Sequence, residues 1–374
     1  MTGSPSSDAA RATTPAEPIT AEELQLALRN HGMPLEALRY PLTPVGLHYL
    51  LTHYDIPAVD PATWTLEVDG HVGRPLRLSL DQIRARPAVR TPVTMECAGN
   101  GRARLSPRPL SQPWLIEAVG TAEWTGTPVG LLLDEAAPLD GAVDVVFTGL
   151  DHGAEGGVEQ DYRRSLSIAD ARAEGPILAY EINGQPLPPQ HGFPLRLIVP
   201  GWFGMTNVKW LGRITLLAEP FDGFQQMRAY RYRQDPDEPG VPVTRMPPRS
   251  LMVPPGFPDF LTRQRFLPLG PCRLEGRAWS GCAPVDRVEV STDGGHTWNA
   301  ADLEAQIGQH AWCGWSHAWH PRGPGVYELC CRASDAAGNQ QPVQSRWNTG
   351  GYANNEVQRV TVVVGEPTAG PPAG

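Results

Sequence analysis

Residues 234–258 carry so much Pro, Asp and Gly that neither a helical nor a strand period survives through them. A chain interrupted this way must build a core on each side of the break, so two domains are expected. Before the break the pattern is mixed. Short apolar runs at 143–147 and 195–199 read as buried strands, with a helix-like stretch at 167–173 between them. After residue 271 the pattern is all strand and turn. Val285-Asp286-Arg287-Val288-Glu289-Val290 leads through Asp293-Gly294-Gly295 to Thr297-Trp298. Residues 325–333, ending in Asp335-Ala336-Ala337-Gly338-Asn339, and 357–364 repeat the alternation. Six of the 11 tryptophans lie in this segment, as anchors for a sandwich core. The expected plan is a low-complexity tail at 1–20, an α+β domain at 21–240 and a linker at 241–270. An immunoglobulin-like β-sandwich at 271–365 and a second tail at 366–374 follow.

Composition narrows the function. A net charge of −9 argues against nucleic acid or an anionic membrane as partner, since both select a basic footprint. No apolar run is long enough for a membrane span, and residues 1–20 have no apolar centre, so a cytoplasmic location is expected. The six cysteines show no C-x-x-C spacing, which disfavours a zinc knuckle or a disulfide scaffold. Five of them fall in the second domain as small apolar fillers. Cys330 and Cys331, adjacent on a strand, face opposite ways and cannot share a metal. Cys97 stands alone in the first domain. Every basic residue is arginine except Lys209. That exception is either an accident of composition or a place where a compact ammonium must fit.

Two clusters carry chemistry. Thr94-Met95-Glu96-Cys97-Ala98-Gly99-Asn100-Gly101-Arg102 runs from a strand-like approach into a small-residue turn, with Arg102 and Arg104 near enough to favour a thiolate. On these residues alone Cys97 is a structural thiol, a nucleophile or a single soft ligand to a metal. The second cluster is His191-Gly192-Phe193-Pro194-Leu195-Arg196, continuing to Asn207-Val208-Lys209-Trp210. Arg196 breaks an apolar run, and a buried arginine needs an anionic partner. With Lys209 and His191 it gives a cationic lining suited to a phosphate or a polar heterocycle. No G-x-G-x-x-G or Walker pattern accompanies it. Asp161-Tyr162-Arg163-Arg164 and residues 228–233 read as solvated surface, as does His152.

The run Glu96 to Arg102, the run Ala179-Tyr180-Glu181-Ile182-Asn183-Gly184-Gln185-Pro186-Leu187-Pro188, and the His191 and Val208-Lys209-Trp210-Leu211-Gly212-Arg213 segments together resemble the sulfite oxidase family of molybdenum-cofactor oxidoreductases. The similarity runs in order over residues 42–364. It implies a molybdopterin-binding α+β domain followed by an immunoglobulin-like domain that mediates a homodimer. Of the three readings of Cys97 it selects metal ligation, with Cys97 the one protein ligand to molybdenum beside two dithiolene sulfurs and two oxygens. It implies that Tyr49, His53, Asp151, His191, Arg196, Asn207, Val208 and Lys209 hold the pterin and its phosphate. Arg102, Trp114 and Tyr230 match positions that line the substrate pocket. The implied reaction is oxygen-atom transfer on a small sulfur oxyanion, sulfite to sulfate, with electrons leaving to a separate acceptor such as a cytochrome. No haem segment is evident.

Two departures bear on the substrate. Where sulfite-oxidising members carry Arg-Asn-His, this chain has Leu51-Thr52-His53, and a second family arginine is replaced by Gly350. Each lost charged hydrogen bond is worth roughly 1.5–3 kcal/mol. Arg104 is a candidate to compensate. Arg29-Asn30-His31 lies too early, as a chance match or a peripheral contact. An S- or N-oxide reductase with the same cofactor is the alternative enzyme, and a non-catalytic binding or assembly protein of the same fold is the alternative outside catalysis.

Overall fold

The computed structural model describes residues 19–365. The tails expected at 1–20 and 366–374 lie outside these residues except for Ile19 and Thr20. Thr20 caps helix Ala21–Arg29: its hydroxyl accepts from the Glu23 N–H at 3.2 Å, and the Glu23 carboxylate accepts from the Thr20 N–H at 3.1 Å.

The first domain holds two sheets. One runs, in spatial order, Leu76–Ser79, Thr65–Gly70, Leu211–Leu217, Asp144–Glu155 and Val158–Ser167, with only the Thr65–Gly70/Leu211–Leu217 pair parallel. Helix Val129–Ala136 buries Val129, Leu132, Leu133 and Ala136 against it, the 3–4 spacing of a single helical face. The other sheet orders Val89–Glu96, Val119–Pro128, Ile177–Ile182 and Gln185–Pro186, and Arg196–Ile198 also pairs with Ile177–Ile182. The strands expected at 143–147 and 195–199 and the helix expected at 167–173 all form, the last as Ile168–Arg172 capped by Ser167.

The second domain is a sandwich of a four-stranded and a six-stranded sheet. Leu274, Val288, Val290, Trp315, Leu329 and Val362 interdigitate between them. The expected linker at 241–270 is corrected here. Arg249–Met252 is fully buried and pairs with Cys272–Trp279, Arg265–Leu267 pairs with Gln358–Val364, and Phe257–Pro258 pairs with Arg265–Leu267, so the sandwich draws on that segment for three strands. Two of its backbone N–H groups are satisfied by side chains of the sandwich. Gln341 accepts from the Ser250 N–H at 2.8 Å and Gln358 from the Met252 N–H at 2.6 Å.

The tryptophans also divide differently from the expectation. Trp315 and Trp319 sit in the sandwich core, whereas Trp279 and Trp312 fill the seam between the domains with Met33, Leu38, Phe203 and Leu251. Cys313 and Cys331 pack in the sandwich core as fillers. Cys282, by contrast, is exposed, and all six cysteines are unpaired.

At the centre of the seam lies a buried ion pair. Glu96 is buried, and its Oε1 accepts from Arg249 Nη1 at 2.6 Å and Asn100 Nδ2 at 3.0 Å, while Oε2 accepts from Trp279 Nε1 at 2.8 Å. Arg249 and Trp279 come from the sandwich; Glu96 and Asn100 flank Cys97. Removing one member of such a buried pair strands the other charge. Arg249→Met should therefore cost about 3–5 kcal/mol in urea unfolding. The double variant with Glu96→Gln should lose distinctly less than the sum of the singles; additive losses would mean that the two groups are not coupled.

Candidate functional site

Strand Val89–Glu96 delivers Cys97 to the start of a tight turn. The Cys97 N–H donates to Ala118 O at 2.9 Å and its carbonyl accepts from Asn100 N at 3.0 Å. Asn100 Oδ1 accepts from Ala118 N at 3.1 Å, which ties the turn to the neighbouring strand segment. A second wall is the loop through Tyr49–His53. It is pinned by the segment 29–31: His31 and Leu50 exchange backbone hydrogen bonds at 3.2 and 2.8 Å, and Thr52 N donates to Asn30 Oδ1 at 2.7 Å. Arg29–His31 is thus a supporting contact, with Arg29 directed to Tyr54 O at 2.8 Å rather than inward. The third wall is the loop 204–209. Gly204 is required there, because a Cβ would overlap the Tyr49 hydroxyl.

These walls enclose about 630 Å³, the open mouth included. Of the residues singled out in the sequence, Tyr49, His53, Cys97, Asp151, His191, Arg196, Asn207, Lys209 and Tyr230 line it. Three do not. Val208 turns into the core of the first sheet between its two lining neighbours. Trp114 packs behind the wall with Tyr49, Met95 and Cys97. Arg102 is drawn onto backbone, donating from Nε to Gly350 O at 2.9 Å and from Nη1 to Gln112 O at 3.2 Å, with its guanidinium over the Tyr352 ring. Arg104 does not compensate from the cavity side, since it pairs with Glu356 at 3.3 Å.

The sequence reading missed His48, Met95, Tyr162, Gly204 and Met205 as lining residues, whereas Leu51, noted there in place of a family arginine, does line the cavity. Tyr162 was hidden inside a charge run. On strand Val158–Ser167 the pattern alternates, so Gln160, Tyr162 and Arg164 point in while Asp161 and Arg163 point out. The surface reading of residues 161–164 therefore holds for only half of them. His152 is exposed, between Asp161 at 2.8 Å and Glu159 at 3.0 Å.

The electrostatics of the cavity are lopsided. Arg196 is buried, with Nη1 donating to His191 O at 3.0 Å, Nη2 to Asn207 O at 3.2 Å, and Nε unpartnered. Its guanidinium lies 4.8 Å from the Trp124 ring centroid. Burial lowers its pKa to about 10, which leaves it charged. Lys209 Nζ donates to Leu51 O at 2.8 Å and Gln190 O at 3.1 Å, and burial, then Arg196, push its pKa down to about 7. Neither cation has a carboxylate within ion-pair distance among the described residues. Asp151 is the nearest acid by influence. Burial raises its pKa to about 7 against the pull of Lys209, and Oδ1 has no partner. His48 and His191 meet edge to face at 5.7 Å, both held neutral chiefly by burial, and His48 Nε2 is unpartnered. His53 Nε2 and Tyr230 Oη share a hydrogen bond at 2.6 Å, and the His53 ring stacks on Tyr162 at 4.8 Å. Burial pushes the Cys97 thiol up, against Arg102, the Gly99 N–H and the Trp114 N–H, which pull the other way. The sequence expectation of a thiolate favoured by arginine is thus reversed in the bare protein. A soft cation at Sγ would restore it.

Several buried polar atoms facing one cavity without partners, beside two uncompensated cations, fit a hydrogen-bonding heterocycle with an anionic tail. Among the described residues no three His, Cys, Asp or Glu side chains converge to hold an ion, so a metal at Cys97 would have to bring further ligands with it.

Comparison with known proteins agrees with this donor set. Residues 53–225 match the oxidoreductase molybdopterin binding domain and residues 242–365 the Mo-co oxidoreductase dimerisation domain. The chain is 36% identical over 350 residues to sulfite oxidase of Gallus gallus, covering 85% of this chain and 72% of that one. It is 33% identical over 384 residues to nitrate reductase [NAD(P)H] of Hordeum vulgare, covering 96% of this chain but spanning only 42% of that protein. The sulfane dehydrogenase SoxCD from Paracoccus pantotrophus shares the fold, with a TM-score of 0.76 at 23% identity over 96% of this chain and 95% of that one.

An anion held by Lys209 favours its ammonium form. Affinity should therefore be full below about pH 7 and fall as pH rises through that value, by up to about tenfold per pH unit. Calorimetric titration of cofactor-free protein with inorganic sulfate, whose own charge is constant from acid to alkali here, reads this directly. Lys209→Met should weaken binding and flatten the profile. An affinity in the wild type that ignores pH would remove Lys209 from the anion site.

Proposed function

The chain belongs to the sulfite oxidase family of molybdenum-cofactor oxidoreductases, and on that premise we propose that it catalyses two-electron oxygen-atom transfer on a small sulfur compound, with sulfite to sulfate as the leading reaction. The observation that carries the proposal is that Cys97 and the two uncompensated cations Arg196 and Lys209 line one cavity. When bound, the molybdenum cofactor supplies the oxygen-transfer and two-electron chemistry. Cys97 is the protein's ligand to the metal. Arg196 and Lys209 hold the phosphate, and His48, Asp151 and His191 address the pterin. Asn207 keeps the loop in register, its Oδ1 accepting from Val199 N at 2.7 Å and its Nδ2 donating to Phe203 O at 3.1 Å.

On the substrate side, Tyr230 and His53 form a pair that can hold or pass a proton. His53, with its pKa lowered to about 4 by burial and then by Lys209 and Arg102, stays neutral at physiological pH and remains able to accept one. Tyr162 stacks on the imidazole and donates its own hydroxyl to Met205 O at 2.8 Å, which fixes both rings. Tyr230 itself adopts a left-handed backbone, φ +47°, held by its N–H donating to Tyr352 Oη at 3.3 Å and its carbonyl accepting from Val243 N at 2.9 Å. Electrons leave to a separate acceptor, a cytochrome in the leading version, and the enzyme works as a homodimer.

One observation favours a less charged substrate. A Cβ at position 350 would overlap the Tyr352 ring, so the place of the second family arginine is filled by a phenol, and Leu51 occupies the first. Reduction of an S-oxide is therefore the second reading, and nitrate belongs in the same assay because of the barley relative.

Protein prepared in a host that makes the cofactor should contain about one molybdenum per chain, and Cys97→Ser should lose both metal and turnover. Sulfite-dependent reduction of ferricyanide is expected. Molybdenum-loaded protein that turns over only a sulfoxide or nitrate, with a reduced dye as donor, would overturn the sulfite version. Leu51→Arg should lower the sulfite KM by about tenfold or more by restoring one charged hydrogen bond. Tyr230→Phe should lower kcat by about a hundredfold with little change in KM.

A further inference from the structure

The most exposed large apolar side chains among the described residues are Phe260, 84% exposed, and Leu261, 85% exposed. They are adjacent, at the tip of a hairpin whose limbs are Phe257–Pro258 and Arg265–Leu267. A tip of this kind would ordinarily fold back onto the surface. Here it is held out. Asp259 Oδ2 accepts from Leu261 N at 3.0 Å, Thr262 N at 2.7 Å and Thr262 Oγ1 at 2.8 Å, and Asp259 N donates to Gln264 O at 2.8 Å. Beneath it the buried Arg265 guanidinium donates to Pro254 O and Pro255 O at 2.9 Å and to Gly256 O at 2.7 Å. The Phe257 and Phe266 rings stack across the limbs at 5.7 Å. An apolar pair on a scaffold this well satisfied loses little freedom when it is covered, which is what makes an anchor.

Beside the returning limb lies a groove of about 1360 Å³, its open mouth included, in which Leu35, Leu115, Ile116 and Val360 stand among the charged side chains of Glu36, Glu117, Arg263 and Arg359. Leu115 is itself more than half exposed. Knob and groove thus occur on the same chain, which is the requirement for a reciprocal twofold contact. The tip and Val360 both fall inside the segment that matches the dimerisation domain. Two side chains cover only part of the roughly 800 Å² per partner that a stable dimer buries. The half-exposed Phe257 and Leu269 extend the patch from the same hairpin.

We propose that the Phe260–Leu261 tip is the anchor of the homodimer, seated in the groove of Leu35, Leu115, Ile116 and Val360 on a second copy of this chain. The inference rests on the homodimer reading above, and sedimentation equilibrium on the cofactor-loaded protein separates the two. Wild type should be a dimer at micromolar concentration. The Phe260→Asp/Leu261→Asp variant should dissociate about a hundredfold more readily with an unchanged circular dichroism spectrum. Leu28→Asp, on the N-terminal helix, should dissociate like the wild type. A photo-reactive benzoylphenylalanine in place of Phe260 should cross-link to a peptide of the second copy that contains Leu115. A wild-type dimer with an unaltered constant in the double variant overturns the anchor and leaves the homodimer standing. A monomeric wild type overturns both, and if that monomer sediments with phosphatidylcholine vesicles through Phe260 and Leu261, the occupant is a lipid surface instead.

Discussion

The carboxylate of Glu96 is the constraint on which the rest of the structure depends. A buried carboxylate is tolerated only when its lone pairs are taken up. Here the donors come from both domains: Asn100 from the turn, Arg249 and Trp279 from the sandwich. Glu96 immediately precedes Cys97, so the position of the sulfur is set by an interaction that exists only when the two domains are docked. The same contact explains why a strand as polar as Arg249-Ser250 can run through the seam, since its guanidinium and backbone both have assigned partners. The sandwich therefore belongs to the site structurally, although no residue of it lines the cavity.

A second constraint runs the opposite way. Glu96 and Arg249 pair with each other, whereas Arg196 and Lys209 are given only neutral partners: carbonyls, aromatic faces and, for Arg196, the Met95 thioether. In a low-dielectric wall such cations retain an unmet demand for negative charge. The neighbouring histidines are kept neutral by burial and add no further positive charge. The cavity is in this sense incomplete without an anion, and the demand is localised at the end formed by Arg196, Lys209 and Asn207.

What the sequence could disclose follows from how far each signal depends on context. Arg196 was legible because a charge inside an apolar run has few structural uses, and Cys97 because a lone thiol precedes a turn of small residues. Both domains were legible from the change of period. The strand Arg249–Met252 was not, because its flanking prolines read as a linker and its partner strand lies at Cys272–Trp279, beyond the intervening hairpin of Phe257–Pro258 and Arg265–Leu267. Tyr162 and Arg164 were masked by the charges of Asp161 and Arg163. Only the register of strand Asp144–Glu155 against Val158–Ser167 decides which pair faces inward. Of the six tryptophans of the second domain taken as sandwich anchors, Trp315 and Trp319 are that, Trp279 and Trp312 fill the seam instead because of domain docking, and Trp298 and Trp347 are only part-buried. Arg102 shows the limit of resemblance. Its place in the motif is intact, yet two of its donors are spent on Gly350 and Gln112, because the glycine at 350 and the phenol of Tyr352 reshape its surroundings.

The single lysine acquires a physical meaning from the same geometry. Nζ is held between the carbonyls of Leu51 and Gln190, 4.3 Å from the Trp210 ring centroid, and Gly192 leaves only just enough room beside its Cβ. A tetrahedral ammonium with two N–H groups spent on these carbonyls has one left to offer a ligand. A planar guanidinium would carry its donors past the two carbonyls and could not shed its charge. An ammonium whose pKa lies near neutrality can do so, which lowers the cost of keeping the cavity folded before an anion arrives. In a chain that uses arginine for every other cationic position, lysine is kept where the group has to be both compact and titratable.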